Sequence, residues 1–348
     1  MLAQLKRMAW KASLLGVIAV TLLVVLGIPS VSAVGTVTYN PLVATMISNV
    51  SQTELESVVE DLSGVTSPII GGSPYTILTR DSDSDEPIDM AEQYVYETLQ
   101  TYGLDSVYYQ NYPGSGKVDP GRNVIGEITG DTSPDEIVII GSHLDDQPWG
   151  EPVAPGADDD ASGVSAVLYL ARTFAGKSFT RTIRFIAFGS EENAPWTSNR
   201  YGSGYYADQA EAAGENIVAM IEADALAWNG SSRLPRIVEM HTRMTNKAPA
   251  AELALVDMWE DVIATYEIAD IKPTEFNYSM KYSDHGAFWA FYPEVPAVLL
   301  IEQEWDEWNP YWHTVNDTID TFNWPYYVQV TRSLVGLAAH QAQIISTQ

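Results

Sequence analysis

Four short stretches hold the side chains able to do chemistry: GSHLDD (Gly141–Asp146), PGADDDASG (Pro155–Gly163), SEEN (Ser190–Asn193) and NPYWHTVNDT (Asn309–Thr318). The sequence contains no cysteine, which excludes disulfides, thiolate nucleophiles and thiolate metal sites, so any metal must be held by His, Asp and Glu. Glu191 and Glu192 stand immediately beyond a nearly all-apolar run. Two carboxylates so placed repel each other, which is costly unless a cation or a shared proton offsets it. The triplet Asp158-Asp159-Asp160 opens an apolar helical stretch. Acids there also serve as N-caps that satisfy free backbone N–H groups and meet the positive end of the helix dipole, so the triplet by itself decides nothing.

Taken together, the stretches fit a two-metal site. Zinc without thiolates takes imidazole and carboxylate ligands, and a catalytic pair sits about 3.5–4 Å apart. Such a site needs two histidines, two terminal carboxylates, a bridging carboxylate and a free carboxylate base, and the chain contains that complement. The ions would lower the pKa of bound water toward about 7, making hydroxide available to attack a peptide carbonyl. The free carboxylate would take the proton and pass it to the leaving amine. Asp145, two residues after His143, is placed to accept the other imidazole N–H and fix the ring.

The elements that must position these residues follow from periodicity. Helical spacing is expected over Thr53–Leu62, Pro87–Tyr102, Gly163–Ala175, Tyr205–Ala213, Pro249–Tyr266 and from Pro325 to about Ile345. Short apolar or β-branched runs predict strands at Asn123–Ile128, Glu136–Gly141, Thr182–Gly189, Ile217–Glu222, Ile237–His241 and Ala297–Ile301. Strands alternating with helices imply an α/β fold: a mostly parallel, mixed central sheet sandwiched between helices, with residues 34–348 forming one domain. In such sheets ligands bind beyond the carboxyl ends of the strands. His143, the Glu191-Glu192 pair and Asp224 each follow one of these runs, so residues distant in sequence are expected to meet at one edge.

With 46 acidic against 18 basic residues, the formal net charge is -28. So negative a surface repels phosphate backbones and anionic lipid headgroups, which argues against nucleic acid and peripheral membrane partners. Residues 1–33 read as a secretory signal: Lys6, Arg7 and Lys11, an apolar run from Leu14 to Ile28, then Val31-Ser32-Ala33. The run is short for a membrane span, which needs about 20 residues. Export is expected, with an uncleaved anchor as the alternative.

These motifs resemble those of the co-catalytic zinc aminopeptidases, family twenty-eight of the metallopeptidases. That family includes secreted bacterial leucyl aminopeptidases, a glutamate carboxypeptidase and, as one-zinc relatives, the glutaminyl cyclases. The resemblance rests on His143-Leu144-Asp145, Gly156 to Gly163, Glu191-Glu192, Asp224, Ser283-Asp284-His285 and Asn309-Pro310 leading to His313-Thr314. It implies a zinc-exopeptidase fold, two zinc ions per chain and peptide substrates. It assigns His143 and Asp224 to one zinc, Glu192 and His313 to the other, and Asp159 to both. Glu191 becomes the general base and acid, with Asp145 behind His143 and a cis peptide at Asp159-Asp160. Adjacent glutamates with different roles require a bend after Gly189, because strand neighbours point to opposite faces.

The chain departs from the family at Trp312, where some relatives have a tyrosine that stabilises the oxyanion; Tyr278 and Tyr282 are the substitutes in reach. His285 is left out of the metal shell. His241 and His340, with no acid at ligand spacing, read as ordinary strand-end and helix-surface residues. Asp81–Glu92 reads better as an acidic turn ahead of a helix than as a calcium loop, because Glu86 stands where a sharp turn wants glycine. Glu302–Trp308 suits a cleft wall. No G-x-S-x-G follows a strand, which excludes that serine hydrolase motif. The expected function is therefore a secreted zinc aminopeptidase. The alternatives are a carboxypeptidase or dipeptidase at the same metals, a glutaminyl cyclase, and an inactive binding ectodomain.

Overall fold

The computed structural model describes residues 37–115, 119–147, 149–193, 198–230, 234–244, 248–278, 281–302 and 308–345. The expected signal over 1–33 and residues 303–307 of the expected cleft wall lie outside them. Among the described residues no helix is long and apolar enough to cross a membrane.

Eight strands form the central sheet: β3 (Ser106–Tyr112), β4 (Gly121–Ile128), β5 (Ser133–His143), β6 (Arg181–Phe188), β7 (Asn216–Ala223), β8 (Arg236–His241), β9 (Ile271–Phe276) and β10 (Ala297–Glu302). Their order is β3-β4-β6-β5-β7-β10-β8-β9. The four central strands β6, β5, β7 and β10 are mutually parallel, β4 and β3 are added antiparallel at one side, and β8 runs against β10 with β9 parallel to it. A two-stranded ribbon, β1 (Ile69–Ile70) with β2 (Ser73–Pro74), stands apart from the sheet. The mostly parallel, mixed sheet of the sequence reading is present.

Central strands buried on both faces must be apolar at every position rather than at alternate ones. Val138 and Ile140 of β5 enter the larger core, while Ile137 and Ile139 enter the smaller one. The larger core packs under α1 (Pro41–Ser48), α2 (Gln52–Leu62), α3 (Glu86–Thr101), α4 (Gly163–Phe174), α6 (Ala250–Thr265) and α8 (Trp324–Gln341). The smaller lies under α5 (Gly202–Ala213) and α7 (Asp284–Phe291).

Two strands of the central sheet escaped the sequence reading, and both are edge strands. In β3, SVYYQNY lacks an apolar run because most of its residues are only partly buried. In β9, Pro273 breaks the pattern, and a residue without an N–H is tolerated only at an edge. The acidic turn ahead of α3 is present, with Asp81 Oδ1 accepting the Asp83 N–H at 2.9 Å, but the N-cap residue Asp85 makes no capping hydrogen bond with its side chain, and the Ile88 N–H goes to the Ser84 hydroxyl at 3.2 Å.

Sequence reasoning also missed Arg80, which is fully buried. Its guanidinium donates to the carbonyls of Leu144 (2.7 Å), Leu62 (2.8 Å), Pro155 (2.9 Å) and Gly156 (2.8 Å). The Asp146 carboxylate lies 3.7 Å away and accepts the Arg80 backbone N–H at 2.7 Å. One side chain thus ties the loop after β5 to the loop that leads into the aspartate triplet. Arg80→Met strips these carbonyls of their donor and removes the positive charge that offsets the burial of Asp146. It should cost about 3–5 kcal/mol in urea unfolding. A loss under about 1 kcal/mol would mean that water can satisfy these groups.

Candidate metal centre

The carboxyl edge of the parallel strands gathers the expected residues. His143 ends β5, Glu191 and Glu192 follow β6, and Asp224 follows β7. Asp159 comes from a kinked stretch ahead of α4, and His313 from the loop beyond β10. His143 Nε2 lies 3.2 Å from Asp159 Oδ1 and 3.5 Å from Asp224 Oδ1. His313 Nε2 lies 3.2 Å from Asp159 Oδ2 and 2.9 Å from Glu192. Asp159 therefore offers one oxygen to each imidazole. Two triads, His143/Asp159/Asp224 and Asp159/Glu192/His313, each have their donor atoms within 4.8 Å of one another. Tetrahedral ligands about 2.0–2.1 Å from an ion lie about 3.3 Å apart, so the observed spacings and the N/O donors fit two adjacent zinc sites sharing one carboxylate. Glu191 joins His143 and Glu192 in a third group of the same width.

The backbone sets this geometry. Ser190 takes a left-handed conformation (φ 57°), which supplies the bend expected after Gly189. The two Asp145 oxygens then accept the N–H groups of Glu191 (2.9 Å) and Glu192 (3.1 Å). This corrects the expected role of Asp145. Its carboxylate is occupied by these amides and sits 3.9 Å from His143 Nδ1, and its main-chain carbonyl faces the ring nitrogen instead, at 3.1 Å.

The members of the triplet have different partners. Asp160 accepts the Gly163 N–H (2.7 Å) at the start of α4 and the Ala225 N–H (3.2 Å). Asp158 accepts from the Ala227 N–H (2.8 Å) and the Asn309 side chain (3.0 Å). Asp159, between them, faces the two histidines across a cis Asp159-Asp160 peptide.

Two further acids complete the support. Asp317 accepts the N–H groups of Asp158 (3.2 Å) and Asp159 (3.0 Å). Glu222 accepts those of Asp284 (2.8 Å) and His285 (2.6 Å), and its carboxylate faces His285 Nδ1 at 2.8 Å. That contact commits His285 to Glu222, outside both triads. Ser283 bridges Glu222 and Asp224, donating to Asp224 Oδ2 at 2.8 Å. Glu222 had a legible signal, a lone acid inside an apolar strand; Asp317 had none. One further expectation fails. His241 does have an acid partner, Glu239, at 3.0 Å, because residues two apart on a strand share a face. His340 meets the Tyr266 hydroxyl at 2.7 Å.

The electrostatics call for positive charge. Burial pushes Glu191 and Glu192 well above the usual carboxylate range, with repulsion from Asp159 adding to Glu192 and from Glu192 to Glu191. Asp160 and Asp284 are raised well above it for the same first cause. Burial alone would lower His143, but Asp224 and Asp159 outweigh it and hold its pKa well above the ordinary value. Asp159 is pulled down against its own burial by His143 and His313.

The model of peptidase family M28 matches residues 123–338. The chain belongs to this family. As a member it is classed as a metallo-exopeptidase. It is 25% identical over 284 residues to YfbL of Escherichia coli, a match covering 75% of this chain and 83% of YfbL. It is 27% identical over 224 residues to a probable aminopeptidase of Saccharomyces cerevisiae, covering 62% of this chain and 56% of the yeast protein. Among solved structures, the LapA aminopeptidase of Legionella pneumophila superposes with a TM-score of 0.70 at 19% identity, over 90% of this chain and 76% of LapA. The glutaminyl cyclase of Porphyromonas gingivalis superposes at 0.63 and 19% identity, over 84% of this chain and 98% of the cyclase. At these identities the superpositions show a shared fold.

Carboxylates outside the metal triads make stability depend on pH. Burial raises Asp146 to about 7 against the pull of Arg80, and Glu92 to about 7 against Arg122. Unfolded carboxylates titrate near about 4, so between there and 7 the folded chain binds more protons and stability falls as pH rises. The melting temperature of chelator-treated protein should drop from about pH 5 to about pH 7. Added zinc should raise it most at the upper end, where the ligands are deprotonated. A melting temperature that climbs across that range contradicts the assignment.

Proposed function

We propose that this chain is an exported zinc aminopeptidase that removes apolar N-terminal residues from peptides. The observation that carries the reading is Asp159, shared between two triads of donors with Glu191 beside them. Two zinc ions, one held by His143, Asp159 and Asp224 and the other by Asp159, Glu192 and His313, would supply Lewis acidity and water whose pKa falls toward about 7.

The chain's own groups do the rest. Glu191, fixed through its backbone N–H by Asp145, takes a proton on its carboxylate and delivers it to the leaving amine. The Asp145 carbonyl orients His143. Tyr282 lines the cleft while Tyr278 is not among its lining residues, which favours Tyr282 as the donor to a developing oxyanion. The cleft, about 570 Å³, combines these acids with Leu299, Ile301, Trp308 and Trp312. Acids attract a free α-ammonium group, and the apolar wall suits an apolar side chain. The signal pattern over residues 1–33 supports export.

A carboxypeptidase would need a cation for the substrate carboxylate. Arg243 is committed to Glu252 (2.8 Å) and to the Pro293 carbonyl (2.7 Å), and Arg200 donates to the Gly114 carbonyl (3.0 Å). Of two other candidate cations, Arg233 lies outside the described residues and Lys281 is exposed beside Tyr282, so only Arg243 and Arg200 are removed as partners for a substrate carboxylate.

A panel of aminoacyl and N-blocked chromogenic substrates tests it. Free-amine substrates should be cleaved and blocked ones should not; equal rates on both would overturn the aminopeptidase assignment. Glu191→Gln should keep both zinc ions by metal analysis and lose turnover by a factor of about 10²–10⁴. Substantial residual hydrolysis with full metal content would remove Glu191 from its role.

A further inference from the structure

The wall of the cleft away from the metal triads is built by two antiparallel strands. In the β10–β8 pairing Leu299 stands opposite His241 and Ile301 opposite Glu239. Directly opposed residues project to the same face of a sheet, so these four side chains share one surface, while Val238, Met240, Val298 and Leu300 fill the core on the other. Leu299, Ile301 and His241 line the cleft. Glu239 is buried beside them, its side chain 7% exposed, with Oε2 3.0 Å from His241 Nε2. The imidazole also packs against the Phe276 ring, centroid to centroid 4.7 Å, and His241 is among the residues that line the cleft while Glu239 is not. Burial lowers the imidazole pKa despite the opposing pull of Glu239, so the ring meets the cleft as a neutral, flat surface near pH 7.

We propose that His241 determines which N-terminal side chain this cleft accepts. It covers the Glu239 carboxylate and so keeps the wall apolar, suited to leucine- and phenylalanine-like residues. Without the imidazole, the carboxylate would face the substrate side chain across a partly desolvated cleft, where a lysine or arginine head would bind it. The inference rests on the aminopeptidase reading and goes beyond it: the pocket holds a latent site for basic residues, shut by one side chain.

The test uses the full chain with zinc and a panel of leucyl, phenylalanyl, lysyl and glutamyl 4-nitroanilides. It compares kcat/KM ratios within each variant, so that general damage to the enzyme cancels. The unaltered protein should favour leucyl or phenylalanyl over lysyl substrate by tenfold or more. His241→Ala should shift the lysyl-to-leucyl ratio at least tenfold toward lysyl and leave glutamyl disfavoured. His241→Ala combined with Glu239→Gln should return the ratio to within about threefold of the starting value. His241→Asn, a smaller side chain that keeps a polar contact to Glu239, should give an intermediate shift and serves if the alanine variant fails to fold. A lysyl-to-leucyl ratio unchanged within twofold in a folded, active variant overturns the proposal, as does a gain that survives Glu239→Gln. If the unaltered protein cleaves none of the four substrates, the aminopeptidase reading itself fails, an outcome distinct from either of these.

Discussion

Carboxylates cannot share a buried edge unless something offsets their repulsion, and this structure gathers them at the carboxyl ends of β5, β6 and β7. The offset is divided. Asp159, Asp224 and Glu192 face histidine nitrogens at 2.9–3.5 Å. The surrounding acids are each held by backbone amides: Asp145 by Glu191 and Glu192, Asp317 by Asp158 and Asp159, Asp160 by Gly163 and Ala225, Glu222 by Asp284 and His285. Bonds from amides to charged acceptors are roughly twice as strong as neutral ones. They also have a consequence for geometry.

Each of these supporting acids grips a loop other than its own. Asp145 at the end of β5 fixes the turn after β6, and Asp317 beyond β10 fixes the stretch that presents Asp159. Asp160 ahead of α4 reaches the loop after β7, and Glu222 within β7 orders the start of α7, whose Ser283 returns to Asp224. Loops are normally the mobile part of an α/β fold. Here the stretches that present Asp159, Glu192 and Asp224 are each braced by a neighbour. Such bracing can hold a ligand set in place before the metals arrive, and Arg80 extends it to the carbonyls beneath.

The side of the cleft away from the triads obeys a different rule. Reversal of β8 against β10 replaces the crossover loops of a parallel sheet with a flat strand surface, so the wall is made of alternate strand residues rather than loop residues. Leu299, Ile301 and His241 belong to this surface. The candidate ligands and this strand surface therefore sit on separate architectural parts: loops at a parallel edge, and one face of an antiparallel pair.

Much of this was legible in the residues. Runs such as Glu136–Gly141 and Thr182–Gly189 are apolar at most positions because central strands are covered on both faces, and that pattern sufficed for the α/β class and for an edge where the candidate residues meet. Absence of cysteine confined any metal to imidazole and carboxylate. The Glu191-Glu192 pair beyond an apolar strand already demanded a cation or a shared proton. The edge strands β3 and β9 were not legible, because half-exposed strands carry no continuous apolar signal. Residue types left the triplet open and the family resemblance chose Asp159; which amides each acid holds was decided by tertiary structure. Asp158, Asp159 and Asp160 are chemically identical, and only the amides of Gly163, Ala225 and Ala227 separate the two that brace from the one that faces the histidines. Asp145 and His241 teach the same lesson: their partners, the Glu191 and Glu192 amides for one and a place in the cleft wall for the other, exist only once the strands have paired. Residue type limits what a side chain can do, but its partner is set by register and turn geometry, which belong to the folded chain.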